Sequence, residues 1–239
     1  MQLIEIKEIK GRIILKSGLH IGAGDMEMHI GGTDNPVIKH PHTLEPYIPG
    51  SSIKGKVRSL LEMRSGLMVK TNGSPLQPRN LNGLDGPQKQ EAVKILKIFG
   101  SSGADSDEMA DLGPTRVSFA DCPINEKWRA KAREERFTLT EVKSENSINR
   151  IRGTAENPRF TERVPAGAVF DFSVSLKILD PNEAELLDTL LQGLKLLELD
   201  TLGGSGSRGY GKVKIELEDE SIKRRFEDIT IFENGGTQP

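Results

Sequence analysis

The chain has 239 residues, 35% of them hydrophobic and 28% charged, which fits one large soluble globular domain with a packed core. No apolar run approaches the roughly 20 residues of a membrane helix. Met1–Gly11 mixes Glu and Lys among isoleucines without an apolar signal core, so the expected compartment is the cytoplasm, with no membrane partner. The single cysteine, Cys122, excludes a disulfide framework and a thiolate zinc site built within one chain. A net charge of −2 does not announce a nucleic-acid partner, although a global sum can hide local patches.

In chain order, Leu3–Leu15 reads as a long strand, with Ile9, Gly11, Ile13 and Leu15 alternating with Lys10, Arg12 and Ile14. A glycine-rich loop follows over Ser17–Asp34. Ser51 and Ser52, after Pro49-Gly50, can cap a helix whose apolar face is Ile53, Val57, Leu60 and Leu61. Residues 66–115 are rich in turn signals and hold one short helical candidate, Gln88–Phe99, so they read as an insertion. Arg116–Asp121 predicts a short strand, with Val117 and Phe119 inward. Residues 122–167 predict a second insertion, a projecting hairpin with a strand candidate at Phe137–Val142. The clearest strand is Phe170–Ile178, alternating strictly between apolar and polar residues. Asp180-Pro181 then starts a helix with Asp180 as cap and Glu183 reaching back as in a capping box; its buried stripe is Leu187, Leu190, Leu191 and Leu194. Tyr210–Leu217 closes with a strand, and the last twenty residues read as a frayed tail. The order strand, helix, strand, strand, helix, strand predicts an α+β, ferredoxin-like (RRM-like) βαββαβ core. Its parts are about 1–65, 116–121 and 168–218, with insertions at about 66–115 and 122–167 and a tail over 219–239.

Three basic segments stand out, and together they favour a polyanion partner. Gly50–Arg64 carries Lys54, Lys56, Arg58 and Arg64; Ile148–Arg163 carries Arg150, Arg152, Arg159 and Arg163; Leu202–Lys214 carries Arg208, Lys212 and Lys214 with no acid. In the first, a helix N-terminus with small residues, Ser51 and Ser52, and nearby lysines makes an anion site. In the last, five glycines within Gly203–Gly211 let the backbone around Gly204 and Ser205 press against a ligand, while Arg208 can grip a phosphate and Tyr210 can stack on a base. It is neither a Walker loop nor a dinucleotide fingerprint, because the lysine position and the strand-to-helix context are wrong. Read by itself, Asp34 is a turn residue before Asn35-Pro36. The histidines are His20, His29, His40 and His42. His40-Pro41-His42 lacks a third zinc ligand at a diagnostic spacing, while His20 or His29 could serve histidine-driven RNA cleavage.

Taken together these pieces resemble the RAMP (repeat-associated mysterious protein) superfamily. The resemblance rests on Gly18-Leu19-His20-Ile21-Gly22, Asp34-Asn35-Pro36-Val37-Ile38-Lys39, Pro46 through Gly55, Asn149-Arg150 through Pro158-Arg159, Glu162-Arg163-Val164 and the closing Gly203–Val213. The Asp-Asn-Pro-Val-Ile run, joined to Pro-Gly-Ser-Ser-Ile-Lys-Gly, is similar to the type III-A backbone subunit of CRISPR effectors. The resemblance implies one RAMP domain over 1–239, with a lid-like first insertion and a thumb-like second one. It implies copies stacked in a filament along a CRISPR RNA, beside other subunits of a type III-A effector. It implies cutting of complementary target RNA at regular intervals, with Asp34 as the cleavage residue, whether as base, metal ligand or positioner, and Mg2+ or another divalent metal as cofactor. His20, Ser51, Ser52, Lys54, Lys56, Arg58, Arg150, Arg152, Arg159, Gly204, Ser205, Arg208 and Tyr210 are the expected RNA-binding set. Two rivals keep the superfamily: a structural guide-binding subunit that does not cut, and a guide-processing endoribonuclease using His20. A third, a small-molecule enzyme with a phosphate loop, predicts an enclosed pocket in a monomer.

Overall fold

Period-two burial makes the first strand: β1 (Glu5–Leu15) buries Ile9, Gly11, Ile13 and Leu15 and turns Glu8, Lys10 and Arg12 outward. The computed structural model describes residues 2–24, 35–101 and 112–232. In it β1 is paired on both sides. One neighbour is β5 (Val169–Ile178), antiparallel, with Ile9 opposite Val174 and Ile13 opposite Phe170; the other is β6 (Val213–Leu217), with Ile13 opposite Ile215. β2 (Val117–Phe119) adds to the far side of β5, so the sheet order is β2-β5-β1-β6. Helix α1 (Gly50–Arg64) connects β1 to β2, and α5 (Leu186–Leu199) connects β5 to β6. This is the ferredoxin-like arrangement expected from the element order.

The predicted apolar stripes all face inward. Ile53, Val57, Leu60 and Leu61 of α1, and Leu187, Leu190, Leu191 and Leu194 of α5, join Phe170, Phe172, Val174 and Leu176 of β5 in one core. The opposite face of the sheet is left open and carries Glu8, Lys10, Arg12, Asp171, Lys214 and Glu216. The four strands place no aromatic residue outward there: Phe170 and Phe172 are buried, and Phe119 stacks on Phe99 at 6.5 Å. An RRM sheet binds RNA by stacking bases on such aromatics, so this open face is not an RRM-type platform.

The two insertions behave differently. In the first, the short helix α2 (Leu67–Lys70), a 3-10 turn at Pro78–Gly83 and α3 (Gly86–Phe99) send Leu67, Leu76, Leu84, Ile95, Leu96 and Phe99 into the main core. Its acidic stretch lies largely outside the described residues. The second starts with α4 (Glu126–Glu134), absent from the sequence reading and capped by Asn125, whose side chain accepts from the Lys127 and Trp128 amides. It continues as a hairpin of β3 (Glu141–Ile148) and β4 (Ala155–Arg163), four residues later than the Phe137–Val142 candidate. Beyond its base, where Thr161 and Glu162 are buried, the hairpin buries none of its side chains, so it projects.

Three further expectations are corrected. The last residues are not simply frayed: Asp219 caps α6 (Glu220–Glu227), which buries Phe226 in the core. Ser51 and Ser52 do not cap α1; Pro49 holds the cap position, and the Gly50 N–H donates to Asp121 Oδ1 at 2.8 Å. Glu183 does not reach back in a capping box, although Asp180 does accept from the Asn182 amide. It turns inward to Arg116 (2.7 Å) and Lys97 (3.2 Å) and accepts from the Leu179 N–H.

Arg116 and Glu183 are only 1% and 3% exposed, so their pairing locks α3, β2 and the turn before α5 together. Burial alone would raise the Glu183 pKa, but the bonds from Arg116, Leu179 and Lys97 outweigh it and hold the carboxyl at about 2, against an ordinary 4.5. The folded pKa is depressed, so its stabilisation is complete above about pH 4.5 and is lost as pH falls toward 2. Glu183→Gln should lower unfolding free energy by roughly 3 kcal/mol at pH 7 in urea titrations. It should also flatten the loss of stability between about pH 5 and pH 2.

Candidate nucleic-acid interface

Glycines bring two distant segments together at the foot of the hairpin. The Gly204 N–H donates to His20 O (2.9 Å) and the Gly211 N–H to Gly18 O (2.9 Å), laying the closing loop along Gly18–Gly22. Gly203 and Gly211 have φ of +74° and +73°, and a Cβ there would sit 2.3 Å from His20 O or 1.9 Å from Leu202 O, so only glycine fits. On its other side, the Gly18–Gly22 segment bonds the base of β4 through reciprocal Leu19 and Val164 amides (2.9 and 2.8 Å).

Glu162 is the hub. It is buried, and its carboxylate accepts from the Val37 N–H (2.9 Å) and Lys39 Nζ (2.7 Å). Its own N–H donates to Asn35 O (3.1 Å), and its carbonyl accepts from His20 Nδ1 (2.7 Å). That last bond places the proton on Nδ1 and leaves Nε2 as an acceptor. Burial opposes the Glu162 charge, but the bonds from Lys39, Val37 and Thr140 outweigh it and hold the carboxyl below the usual range.

The expected RNA-binding residues divide. Asp34, and His29, lie outside the described residues. His20, Gly204 and Ser205 meet at the hairpin foot, as the loop contacts require. Ser51 is exposed and Ser52 half-buried in the first turn of α1, beside half-buried Lys54. Burial, then neighbouring Arg58, push the Lys54 pKa down, and no anion among the described residues pairs with it. Lys56 bonds Asp200 at 2.6 Å, tying α1 to the start of the closing loop. Arg150 and Arg152 stand in the exposed hairpin tip, and Arg159 is exposed on β4.

Three of these residues have other employment. Arg58 is spent internally, on Glu62 (2.7 Å), Leu76 O (2.5 Å) and Gly100 O (3.0 Å); it clamps the first insertion and is withdrawn as an RNA contact. Tyr210 is 0% exposed, its ring lying 4.6 Å from Lys143 Nζ and 5.0 Å from Arg163 Cζ, so it packs the hairpin foot and cannot stack on a base. Arg208 pairs with Glu145 at 2.8 Å, bridging the loop to β3. The sequence reading missed Glu162, Lys143 and Glu145, whose roles depend on partners more than a hundred or about sixty residues away. Cys122 is no nucleophile at neutral pH, because burial and neighbouring Asp121 push its thiol up to about 12. Among the described residues, no three His, Cys, Asp or Glu side chains converge as a metal site, and no helix is long and apolar enough to cross a membrane.

Replacing Glu162 by Gln should cost roughly 1.5–3 kcal/mol through its charged hydrogen bonds. Amide exchange should quicken in a peptide containing Val37 while peptides of α5 stay protected; unchanged exchange at Val37 would remove Glu162 from the hub.

The RAMP superfamily model matches residues 12–214. A Methanothermobacter thermautotrophicus protein named CRISPR system Cms endoribonuclease Csm3 is 42% identical over 232 residues, covering 91% of this chain and 85% of its own length. The Streptococcus thermophilus protein of that name is 39% identical over 237 residues, covering 98% and 94%. Among solved structures, a chain of the Csm3-Csm4 subcomplex in the type III-A CRISPR-Cas interference complex superposes with a TM-score of 0.54 at 30% identity, over 90% of this chain and 78% of that one. The Methanopyrus kandleri Csm3 crystal structure gives 0.58 at 26% identity, over 89% and 75%. A match spanning both halves of the ferredoxin-like core, with relatives this similar over nearly the full length, means that the chain belongs to the RAMP superfamily.

Proposed function

We propose that the chain is a CRISPR RNA-binding backbone subunit of a type III-A interference complex in the cytoplasm, and an endoribonuclease that cuts complementary target RNA at regular intervals. Copies stack along the guide in a filament, beside other effector subunits. The names of relatives 36–42% identical support the activity. The observation that carries the site is the bond from the Glu162 amide to Asn35 O, which pins the residue after Asp34 to the foot of the projecting hairpin. A strand of target interrupted by that hairpin is delivered to this segment.

Each part of the chain then has a task. The hairpin is the thumb: its tip sets Ile151, 98% exposed, between Arg150 and Arg152, an apolar wedge flanked by cations for a nucleic-acid duplex. The first insertion is the lid-like part of a single domain. Lys54 and the amides around Gly204 and Ser205 take guide phosphates. Asp34 acts where the target kinks, and the 2′-hydroxyl attacks the adjacent phosphorus in line with the leaving 5′-oxygen, giving a 2′,3′-cyclic phosphate and a 5′-hydroxyl. Both Glu162 oxygens are already bonded, to the Val37 N–H and Lys39 Nζ, so Glu162 is spent on the fold. Asp34, a hard oxygen donor, would hold Mg2+ or another divalent metal. Such an ion supplies charge stabilisation at the phosphate. A second reading, guide processing by His20, is favoured by one observation: its fixed Nδ1 proton leaves Nε2 free as a base.

In assembled complexes with guide RNA, labelled complementary RNA and Mg2+, the parent should give regularly spaced cuts. Asp34→Ala should abolish them with guide binding near normal, and His20→Ala should keep them. Stable target binding without cuts in the parent would leave a structural subunit. Loss of guide maturation, with target cutting intact, in His20→Ala would favour the second reading. Lys54→Ala should weaken guide binding and lower the slope of log K against log salt by about one.

A further inference from the structure

A crevice of about 300 Å³ follows the free edge of the four-stranded sheet, where β6 has β1 on one side and no strand on the other. Four elements build it. β1 supplies Arg12, α5 Lys195, β6 Lys214 and α6 Lys223, against two carboxylates, Glu216 and Glu227. The volume stands at the lower end of the roughly 300–1,000 Å³ of small-ligand sites. None of these residues belongs to the hairpin, the closing loop or the start of α1, and the RNA-binding reading gives them no task. Lys214, part of the third basic segment of the sequence, is among them.

The four cations are loosely held. Arg12 lies 3.6 Å from Glu216 and Lys223 lies 3.4 Å from Glu220, both at exposed positions where an ion pair adds little. Lys195 and Lys214 share one carboxylate, Glu198, at 3.6 and 3.8 Å. That carboxylate is already engaged, because Glu198 Oε1 accepts from the Ile215 N–H at 2.7 Å. Lys195 Nζ also stands 4.7 Å from the centre of the Phe226 ring, a contact that uses none of its N–H donors. By contrast, Lys39 at the hub is held by Glu162 at 2.7 Å.

The floor strengthens what the cations can do. Ile215, Leu217 and Phe226 are buried beneath them, and an apolar floor sharpens the attraction of an anion. The strand edge adds a backbone donor. Bonds from the Lys16 N–H to Lys212 O and from the Glu218 N–H to Lys10 O assign the even-numbered positions to the ladder with β1. The Ile215 N–H points the other way, to Glu198, and by alternation so does the Leu217 N–H. Four cations against two carboxylates leave the lining with an excess of two positive charges. A phosphomonoester carries about −1.5 to −2 at pH 7, which matches that excess, whereas an RNA phosphodiester carries a single charge. Clustered ammonium groups and a guanidinium suit phosphate oxygens.

We propose that this edge crevice binds a small phosphorylated anion, a phosphomonoester or pyrophosphate group. Arg12, Lys195, Lys214 and Lys223 hold it, and the bound anion ties α6 to the edge of the sheet. The inference does not depend on the RNA reading and goes beyond it.

The test titrates the whole protein with inorganic pyrophosphate by calorimetry, without Mg2+, in about 0.15 M salt, where scattered surface charges are screened. The parent should bind saturably, with one anion per chain. Lys195→Ala combined with Lys223→Ala should bind about tenfold more weakly, and Arg159→Ala, which removes a cation outside the crevice, should bind like the parent. Amide exchange of the parent is followed with and without pyrophosphate, so that one readout is independent of how the variants fold. Exchange should slow in peptides of β6 and α6 and stay unchanged in the hairpin. Unsaturable binding, equal loss in Arg159→Ala, or protection confined to the hairpin would overturn the site. Single-stranded RNA is then added to the pyrophosphate complex. Pyrophosphate that stays bound supports a separate small-anion site, and pyrophosphate that is displaced assigns the crevice to a polymer-binding surface and overturns the proposal. A parent that binds pyrophosphate but no RNA leaves the crevice standing and removes the RNA reading.

Discussion

Everything at the candidate site hangs on one buried carboxylate. Glu162 closes the foot of the hairpin, holds the Asn35–Lys39 segment and, through its backbone carbonyl, orients the His20 ring. A buried carboxylate is costly unless its lone pairs are filled. Here a lysine and a backbone amide fill them, and the depressed pKa records that the charged form is the one the fold stabilises. Because separate stretches of chain converge on this residue, the foot of the projecting hairpin is tied to the Asn35–Lys39 segment and to His20.

Charge is organised in the same economical way. The chain as a whole is slightly acidic, and much of its basic character is consumed internally: Arg58 and Arg116 act as clamps for the first insertion, and Arg163 lies against Tyr210 and Glu141. Of the cations expected to bind RNA, Lys54 at the start of α1, Arg150 and Arg152 at the hairpin tip, and Arg159 on its side have no ion pair among the described residues. The open face of the sheet, with mixed charges and no aromatic residue, does not compete for RNA. On the proposed function the binding surface lies on the loops and the hairpin and not on the sheet, since glycine there allows backbone to approach a ligand.

The strands and both core helices were legible because their apolar residues repeat with period two or near 3.6, and the core enforces that period directly. Less regular segments were harder. α4 is strongly polar and buries a single residue fully, Ala132, so its signal was little more than the Asn125 cap. β4 contains Pro158 and is exposed over most of its length, so it lacks alternation. α6 depends on one buried side chain, Phe226, and its cap, Asp219, falls at the start of what reads in sequence as a frayed tail.

At the site, sequence by itself determined which residue types were present: the glycines of the closing loop, the lysines of α1, the Asp-Asn-Pro run and the family resemblance. Those follow from local stereochemistry and order along the chain. Only the tertiary structure decided which polar groups are free. Arg58, Arg208 and Tyr210 look like ligands in sequence and turn out to have partners inside the protein, while Glu162 looks like one acid among many and is the hub. The physical reason is that a side chain's availability depends on the charge and burial of whatever packs against it. Those neighbours, Glu145 for Arg208 and Lys39 for Glu162, lie far away along the chain.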